Sequence, residues 1–499
     1  MTEKLLLGLD IGSSSIKASL LHAESGALLA SATSPEREMK IDSPQPGWAE
    51  QHPETWWEHV VRATHQLLPS LPASYEILGI GISYQMHGLV LVDRHQTAIH
   101  PAIIWCDSRA VEAGEKTYAA LGSDYCQGHC LNSPGNFTAA KLKWVRENLP
   151  DVYAKIHKAM LPGDFIAMKL TGEIRTTVSG LSEGIFWDFR EQDLAGPLLA
   201  EMGIDPALLA ERVPTFGEQG RLGASAAAAL KLPEGIPVTY RAGDQPNNAL
   251  SLKVMNPGEV ATTAGTSGVV YGVTNRNLID PQSRVNAFAH VNYTAEQPNV
   301  GILLCINGTG IQYSWLKQTL MDGAHSYGDL NEMAGQTPIG AEGLLCLPFG
   351  NGAERILANR DIRGGFSGIN FNIHSKGHMV RAAQEGIAFS FRYGLDIMKD
   401  MGMAFSVIRA GNSNLFQSPV FREAFVNTCN VGLEIYNTDG SQGAARGAGI
   451  GAGFYRDTET AFRGLKVIDR QDPEADKVRS YQEVYHLWKA RLEAQLADR

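Results

Sequence analysis

Apolar positions along the chain follow two habits: short unbroken runs that stop at a polar turn, and residues recurring at helical spacing. Leu5-Leu6-Leu7-Gly8-Leu9 is of the first kind and ends at Asp10. The turn Gly12-Ser13-Ser14-Ser15 follows, then a second apolar run over residues 16–21, which predicts a β-hairpin. Residues 28–33 read as a further strand, and Pro44 and Pro46 exclude regular structure in the loop after it. Residues 53–68 place Trp56, Trp57, Val60, Val61 and Leu67 on one helical face. Buried-type strands are predicted at 77–83 and 89–93, on either side of Gln85-Met86-His87-Gly88. The strand–turn–strand pattern returns at 258–271, around Gly265-Thr266-Ser267. Beyond it, helices are predicted from 307 onward, at 378–392 and at 443–453, with strands at 405–410 and 433–436. Near the end, Tyr481, Tyr485, Trp488, Leu492 and Leu496 form one helical stripe, read as packed on the body.

Length and charge change this picture in two ways. A chain of 499 residues exceeds what one hydrophobic core serves, so two domains are expected, at 1–249 and 250–499. A formal charge of −10 argues against a general nucleic-acid binder. The short apolar start, broken by Asp10, reads as neither signal peptide nor membrane span. Six scattered cysteines suggest no disulfide framework, and a cytoplasmic location is expected. Cys126, His129 and Cys130 lie close together, but no second ligand pair with zinc spacing follows them.

The two turns carry the candidate chemistry. Neither has a side chain bulky enough to keep a phosphate from the backbone. Gly12 allows dihedrals that other residues avoid, successive N–H groups make an anion-binding concavity, and the hydroxyls add donors. A Gly/Ser-rich turn of ordinary kind is the alternative. Two such hairpins, one per half, suggest a nucleotide held between two similar lobes. Asp10, at a strand end, and Asp244, in the polar stretch Gly243-Asp244-Gln245 between the hairpins, supply carboxylates suited to a divalent cation held through water.

Taken together, the hairpins, the Gly-Asp-Gln stretch, Gln85-Met86-His87-Gly88, Ile104-Trp105-Cys106-Asp107-Ser108-Arg109 and Leu161-Pro162-Gly163-Asp164-Phe165 resemble the FGGY carbohydrate kinases of the actin/hexokinase/Hsp70 superfamily. The similarity runs, with gaps, from about Leu5 to about Gly453. It implies an α/β fold of two ribonuclease H-like lobes with a cleft between them. ATP, Mg²⁺ and a sugar would be the ligands, with no nucleic-acid or membrane partner and a homodimer as the common assembly. Asp244 would be the general base, and Asp10 and Asp244 would hold the metal. Gly12, Ser13, Ser14, Lys17, Gly265, Thr266, Ser267 and Gly308 would face the nucleotide, although Lys17 could instead point outward from its strand. Gly411, Asn412 and Asn414 stand where most members carry a glycine-rich turn for the adenosine.

Gln85, Met86, His87, Asp244 and Asp107 would meet the sugar, with Asp107 and Arg109 equally able to order their loop. Trp48 and Glu50 are likewise sugar contacts or loop anchors. The Met-His pair points to D-xylulose as acceptor, with ribulose, gluconate and glycerol as alternatives. A nucleotide-dependent sensor or assembly protein is the reading from another class. Two motifs are set aside. Gly180-Leu181-Ser182-Glu183-Gly184 fits a nucleophile elbow, but residues 185–189 read as extended where a helix is required. Gly447-Ala448-Gly449-Ile450-Gly451-Ala452 fits a dinucleotide fingerprint, but close helix packing explains its small residues better.

Overall fold

The first hairpin forms as read. In the computed structural model, which describes residues 2–497, β1 (Glu3–Ile11) pairs antiparallel with β2 (Ile16–His22), with Asp10 opposite Lys17. Strand β3 (Leu28–Ser34) adds beside β2, while β4 (Tyr75–Tyr84) and β5 (Val238–Gly243) run parallel to β1, giving the order β5-β4-β1-β2-β3. Side chains alternate along β1, as a pleated strand requires. Leu5, Leu7 and Leu9 join the core that holds Trp56 and Val60 of α1 (Pro53–Leu67), whereas Leu6 and Gly8 face the other way. Two short elements complete the wall of this lobe's cleft: α2 (Val178–Glu183) and α3 (Asp244–Ser251). The polar turn expected at Asp244 is thus a helix start, because Gly243 caps it in extended conformation.

The second half repeats the plan. Its strands are β6 (Val260–Ala264), β7 (Gly268–Thr274), β8 (Asn286–Ala289), β9 (Val300–Ile306), β10 (Val407–Gly411), β11 (Gly432–Tyr436) and β12 (Val467–Gln471). Their order is β8-β9-β7-β6-β10-β11-β12. Strands β9-β7-β6-β10-β11 reproduce the order and the parallel or antiparallel sense of the first sheet, with one strand added at each edge. Two copies of one mixed sheet, helices on the faces and a cleft between are the two-lobed ribonuclease H-like fold.

Helices α4 (Lys376–Asp400) and α5 (Pro419–Cys429) cover the second sheet, and α4 is longer than the predicted 378–392. One helix crosses over. The small-residue helix α6 (Gly440–Gly451), expected to complete the second lobe, packs instead on β1, β2, β4 and β5 of the first. A Cβ at Gly8 or Gly81 would land on the carbonyls of Ser441 and Ala444, and one at Gly451 on that of Thr239. The Ser19 and Ser441 hydroxyls meet at 2.7 Å, and Thr239 Oγ1 donates to the Ala448 carbonyl at 2.8 Å. Helix–sheet contact this close requires glycine on both sides, which accounts for the fingerprint-like spacing. The last helix, α7 (Ala475–Ala497), buries Tyr481, Tyr485, Trp488 and Leu492 against the body, as expected. Trp488 Nε1 donates to the Cys346 carbonyl at 2.7 Å.

Candidate functional site

The two hairpin turns face the cleft with their carbonyls tied back. In the first, Gly12 N–H donates to Ser15 O at 3.1 Å, Met39 N–H to Ser14 O at 2.8 Å and Gln51 Nε2 to Ser13 O at 2.7 Å. Gly12 does not take a positive φ, so the expected reason for it is wrong; a Cβ there would stand 2.9 Å from Ser15 O. Lys17 is exposed and acts on Asp10 across the strand pair. In the second turn, Gly310 N–H bonds Gly265 O at 2.9 Å and Ile311 N–H bonds Thr266 O at 3.1 Å, while Thr309 Oγ1 reaches both carbonyls. With the acceptors engaged from behind, what each turn offers forward is N–H groups and hydroxyls, the donor set a phosphate needs.

A cavity of about 810 Å³ opens beside the second turn, bordered by Gly265, Thr266, Tyr327, Asn331 and Asn414. Its size suits a nucleoside. The Tyr327 ring is half exposed and stacks on Tyr313 at 5.5 Å, which leaves an aromatic face for a base. Asn414, at φ 54°, holds the left-handed conformation that Asn tolerates, with its amide beside Gly265. Gly308, Gly411 and Asn412 do not border this cavity. A Cβ at Gly308 would strike the Pro348 carbonyl, Asn412 N–H bonds Tyr436 O at 3.2 Å, and Gly411 lies against Thr438 O. They shape the wall from behind.

Three carboxylates gather at the base of the cleft. Asp10 accepts a 2.8 Å hydrogen bond from Ser83 Oγ and lies against Gly440 at the start of α6. Burial raises its pKa, opposed by Ser83 and Lys17 and reinforced by Asp439, the N-cap of α6. Asp244 is the first residue of α3, and burial, with the charge of Asp10 added, pushes its pKa up to about 7. A helix N-terminus favours the anion at both places. Mutual repulsion and desolvation outweigh that preference at Asp244.

The acceptor side is built from the loop after β4. Gln85 is buried, with neither amide atom bonded within the protein. His87 takes φ 61° and is the partly exposed residue of the run 81–90. Its Nδ1 lies 2.9 Å from Glu183 O, and a carbonyl only accepts, so Nδ1 carries the proton and Nε2 keeps a free lone pair. Burial, with Lys141 adding to it, pushes the imidazole down to about 3, so the ring is neutral. Phe137 and Phe288 flank it at 4.8 and 5.2 Å, Phe288 coming from the second lobe.

Asp107 has no exposed surface. It accepts from Ala49 N–H at 2.6 Å and from Arg109 through Nε and Nη2, and its carbonyl takes the amide of Asn136. Arg109 in turn pairs with Glu50 at 2.7 Å and lies 3.8 Å from the Trp48 ring. These contacts let Asp107, Arg109, Trp48 and Glu50 order their loops. Sequence reasoning missed Ser83, Glu183, Lys141, Tyr327 and Asp439. Glu183 lay inside the rejected elbow motif, whose residues are helical in α2, so that rejection stands on firmer ground. Only Asp439, an N-cap residue before a small-residue helix, carried a readable signal.

The N-terminal domain profile of the FGGY family of carbohydrate kinases matches residues 5–251, and its C-terminal domain profile matches 260–454. The chain belongs to this family. It is a carbohydrate kinase with the two-lobed fold of its relatives. It is similar to a xylulose kinase of Lactococcus lactis, 29% identical over 97% of this chain and 95% of that one. A xylulose kinase of Bacillus subtilis is 26% identical over 97% and 96%. The solved structure of a xylulose kinase from Rhodospirillum rubrum superposes with a TM-score of 0.86 at 26% identity, covering 99% of each chain. Among the described residues no helix of the kinase is long and apolar enough to cross a membrane.

Proposed function

We propose that the kinase transfers the γ-phosphoryl group of ATP to a hydroxyl of D-xylulose, giving D-xylulose 5-phosphate and ADP. The observation carrying this is Asp244, a carboxylate with a pKa of about 7 at a helix start between the two phosphate turns. A base so tuned accepts the acceptor hydroxyl's proton as its oxygen adds to phosphorus and the ADP oxygen leaves. His87 Nε2, a neutral acceptor, and the unbonded amide of Gln85 orient the sugar, with Met86 as apolar floor. Gly12, Ser13, Ser14 and Lys17 face the γ-phosphate, and Gly265, Thr266 and Ser267 the rest of the chain of phosphates. The names of the relatives support xylulose as the acceptor.

Magnesium fits the carboxylates present. Asp10 and Asp244 act on one another, Asp439 adds to the same field, and Lys17 stands opposite Asp10 on the neighbouring strand. Among the described residues no three ligating side chains meet at one point, which suits an ion whose other ligands are phosphate oxygens and water. Asp10 and Asp244 would hold it through water, and there it neutralises charge on the phosphate oxygens. The six cysteines are free, which supports the cytoplasmic location we propose.

One observation favours a second acceptor class. The Arg355 guanidinium, held by Ser283 O and Asn286 Oδ1 at 3.2 and 3.0 Å, adds the smallest of the effects that lower the His87 pKa, and a cation on that side would suit a sugar acid such as gluconate. Coupled ADP release, measured over xylulose, ribulose, glycerol and gluconate, separates the two. Turnover with xylulose lost in Asp244→Ala supports the first reading, and preference for gluconate replaces it with the second. Nucleotide binding without turnover on any acceptor would overturn both.

A further inference from the structure

Glu183 closes α2 and is almost without exposed surface. It grips His87 twice: its Oε1 accepts the His87 N–H at 3.3 Å, and its carbonyl accepts the Nδ1–H at 2.9 Å. From the opposite side, buried Lys141 donates from Nζ to the His87 carbonyl at 2.8 Å and to Ile104 O at 3.0 Å. A histidine in left-handed conformation is thus held at N–H, carbonyl and ring. The other oxygen, Oε2, is buried and has no hydrogen-bond partner of good geometry. It occupies the space above Gly243, where a Cβ would collide with it and would stand 2.6 Å from Met86 Cγ. Strands β4 and β5 are neighbours, with Tyr84 level with Gly243. The loop Gln85 to His87 and the strand-to-helix junction Gly243 to Asp244 therefore meet beside one carboxyl group.

We propose that Glu183 is a positioning residue for phosphoryl transfer, a wedge between the two strand-end segments that sets the distance from the acceptor-orienting His87 to the base Asp244. This rests on the roles proposed for those two residues. One side chain meets both segments, Oε1 at the His87 N–H and Oε2 over Gly243, and the contact explains why position 243 is glycine although its φ is unexceptional. These contacts of Glu183 fall on His87 and Gly243, so its effect is expected on the acceptor.

The test compares Glu183→Gln, Glu183→Asp and Glu183→Ala, using the acceptor identified by the substrate panel. The Gln variant keeps an acceptor for the His87 N–H at full reach and is expected to stay near wild type. The Asp variant falls a methylene short. It and the Ala variant are expected to raise the acceptor KM and lower kcat, each by about tenfold or more, as losing a buried hydrogen bond implies. The KM for ATP should stay unchanged. Amide NMR supplies an arm that needs no acceptor: the His87 N–H should keep its hydrogen-bonded shift in wild type and Gln and move or broaden in Asp and Ala. The Nδ1–H tautomer, held by the backbone carbonyl of residue 183, should persist in all. An unchanged His87 N–H signal in Asp and Ala would overturn the proposal, as would equal losses for acceptor and ATP. If no acceptor is turned over, the assigned function fails while the NMR arm still decides the role of Glu183.

Discussion

Asp244 must give up its proton to act, yet its surroundings hold that proton. Its pKa near 7 lies well above the ordinary carboxylate value. Two consequences follow, with opposite signs. As general base it works ionised, so kcat/KM should climb with pH and level above about 7; a flat profile from pH 5 to 8 would remove it from that role. For stability, the unfolded carboxyl ionises near 3.8 while the folded one keeps its proton up to about 7. Its contribution is fully present below the first value, falls through that window and is lost above it. Asp244→Asn, which stays neutral, should therefore melt at or above the wild-type temperature at neutral pH, with the difference vanishing in acid, and lose about 10²- to 10⁴-fold in kcat. His87 and Asp244, each beside a glycine at a strand end, and Gln85 were singled out because their stretches resemble the family's, and the roles proposed for them rest on that resemblance. Glu183 was not, since its partners lie far off in the chain and its motif advertised another chemistry. For Asp107, residue type left ligand contact and loop order both open, and the closing of Arg109 onto it and onto Trp48 accounts for the second.

At the level of elements, the glycines divide by the job each does. Gly310 brings the 307–311 segment against the second phosphate turn, and a Cβ there would strike the Gly265 carbonyl. Gly310→Ala is expected to weaken ATP binding about tenfold or more while leaving sugar affinity in calorimetry intact, because one turn moves and the other does not. Gly81 lies under α6, far from the nucleotide cavity. Gly81→Ala should instead cost about 1–3 kcal/mol of stability, read in thermal melts, with KM values near wild type. Hairpins, α1 and α7 were readable because their apolar period states both the element and its buried face. Helix α6 was readable as a helix but not as a guest of the other lobe. Periodicity reports that a face is buried, never against which sheet, and a glycine-lined face reports only that the approach is close.

Across the whole molecule, the acceptor site draws His87 from one lobe and Phe288 from the other, and the phosphate turns come one from each. His87 and Phe288 already meet, whereas one nucleotide gripped by turns on separate lobes draws those lobes together, so closure on substrate is expected. Small-angle scattering with sugar and a nonhydrolysable nucleotide should show a smaller radius of gyration than the free enzyme. Superimposable curves would rule closure out. The crossing of α6 reaches beyond the finished enzyme to its synthesis. When a ribosome has released Ser251, every strand of the first sheet exists, yet the helix that roofs the Leu6 and Gly8 face has still to be made. The ~190 residues between occupy roughly 10–40 s at common elongation rates of about 5–20 residues per second. Through that interval a nascent apolar face waits uncovered, so codon usage between the lobes and chaperone supply govern yield without altering the mature protein's stability.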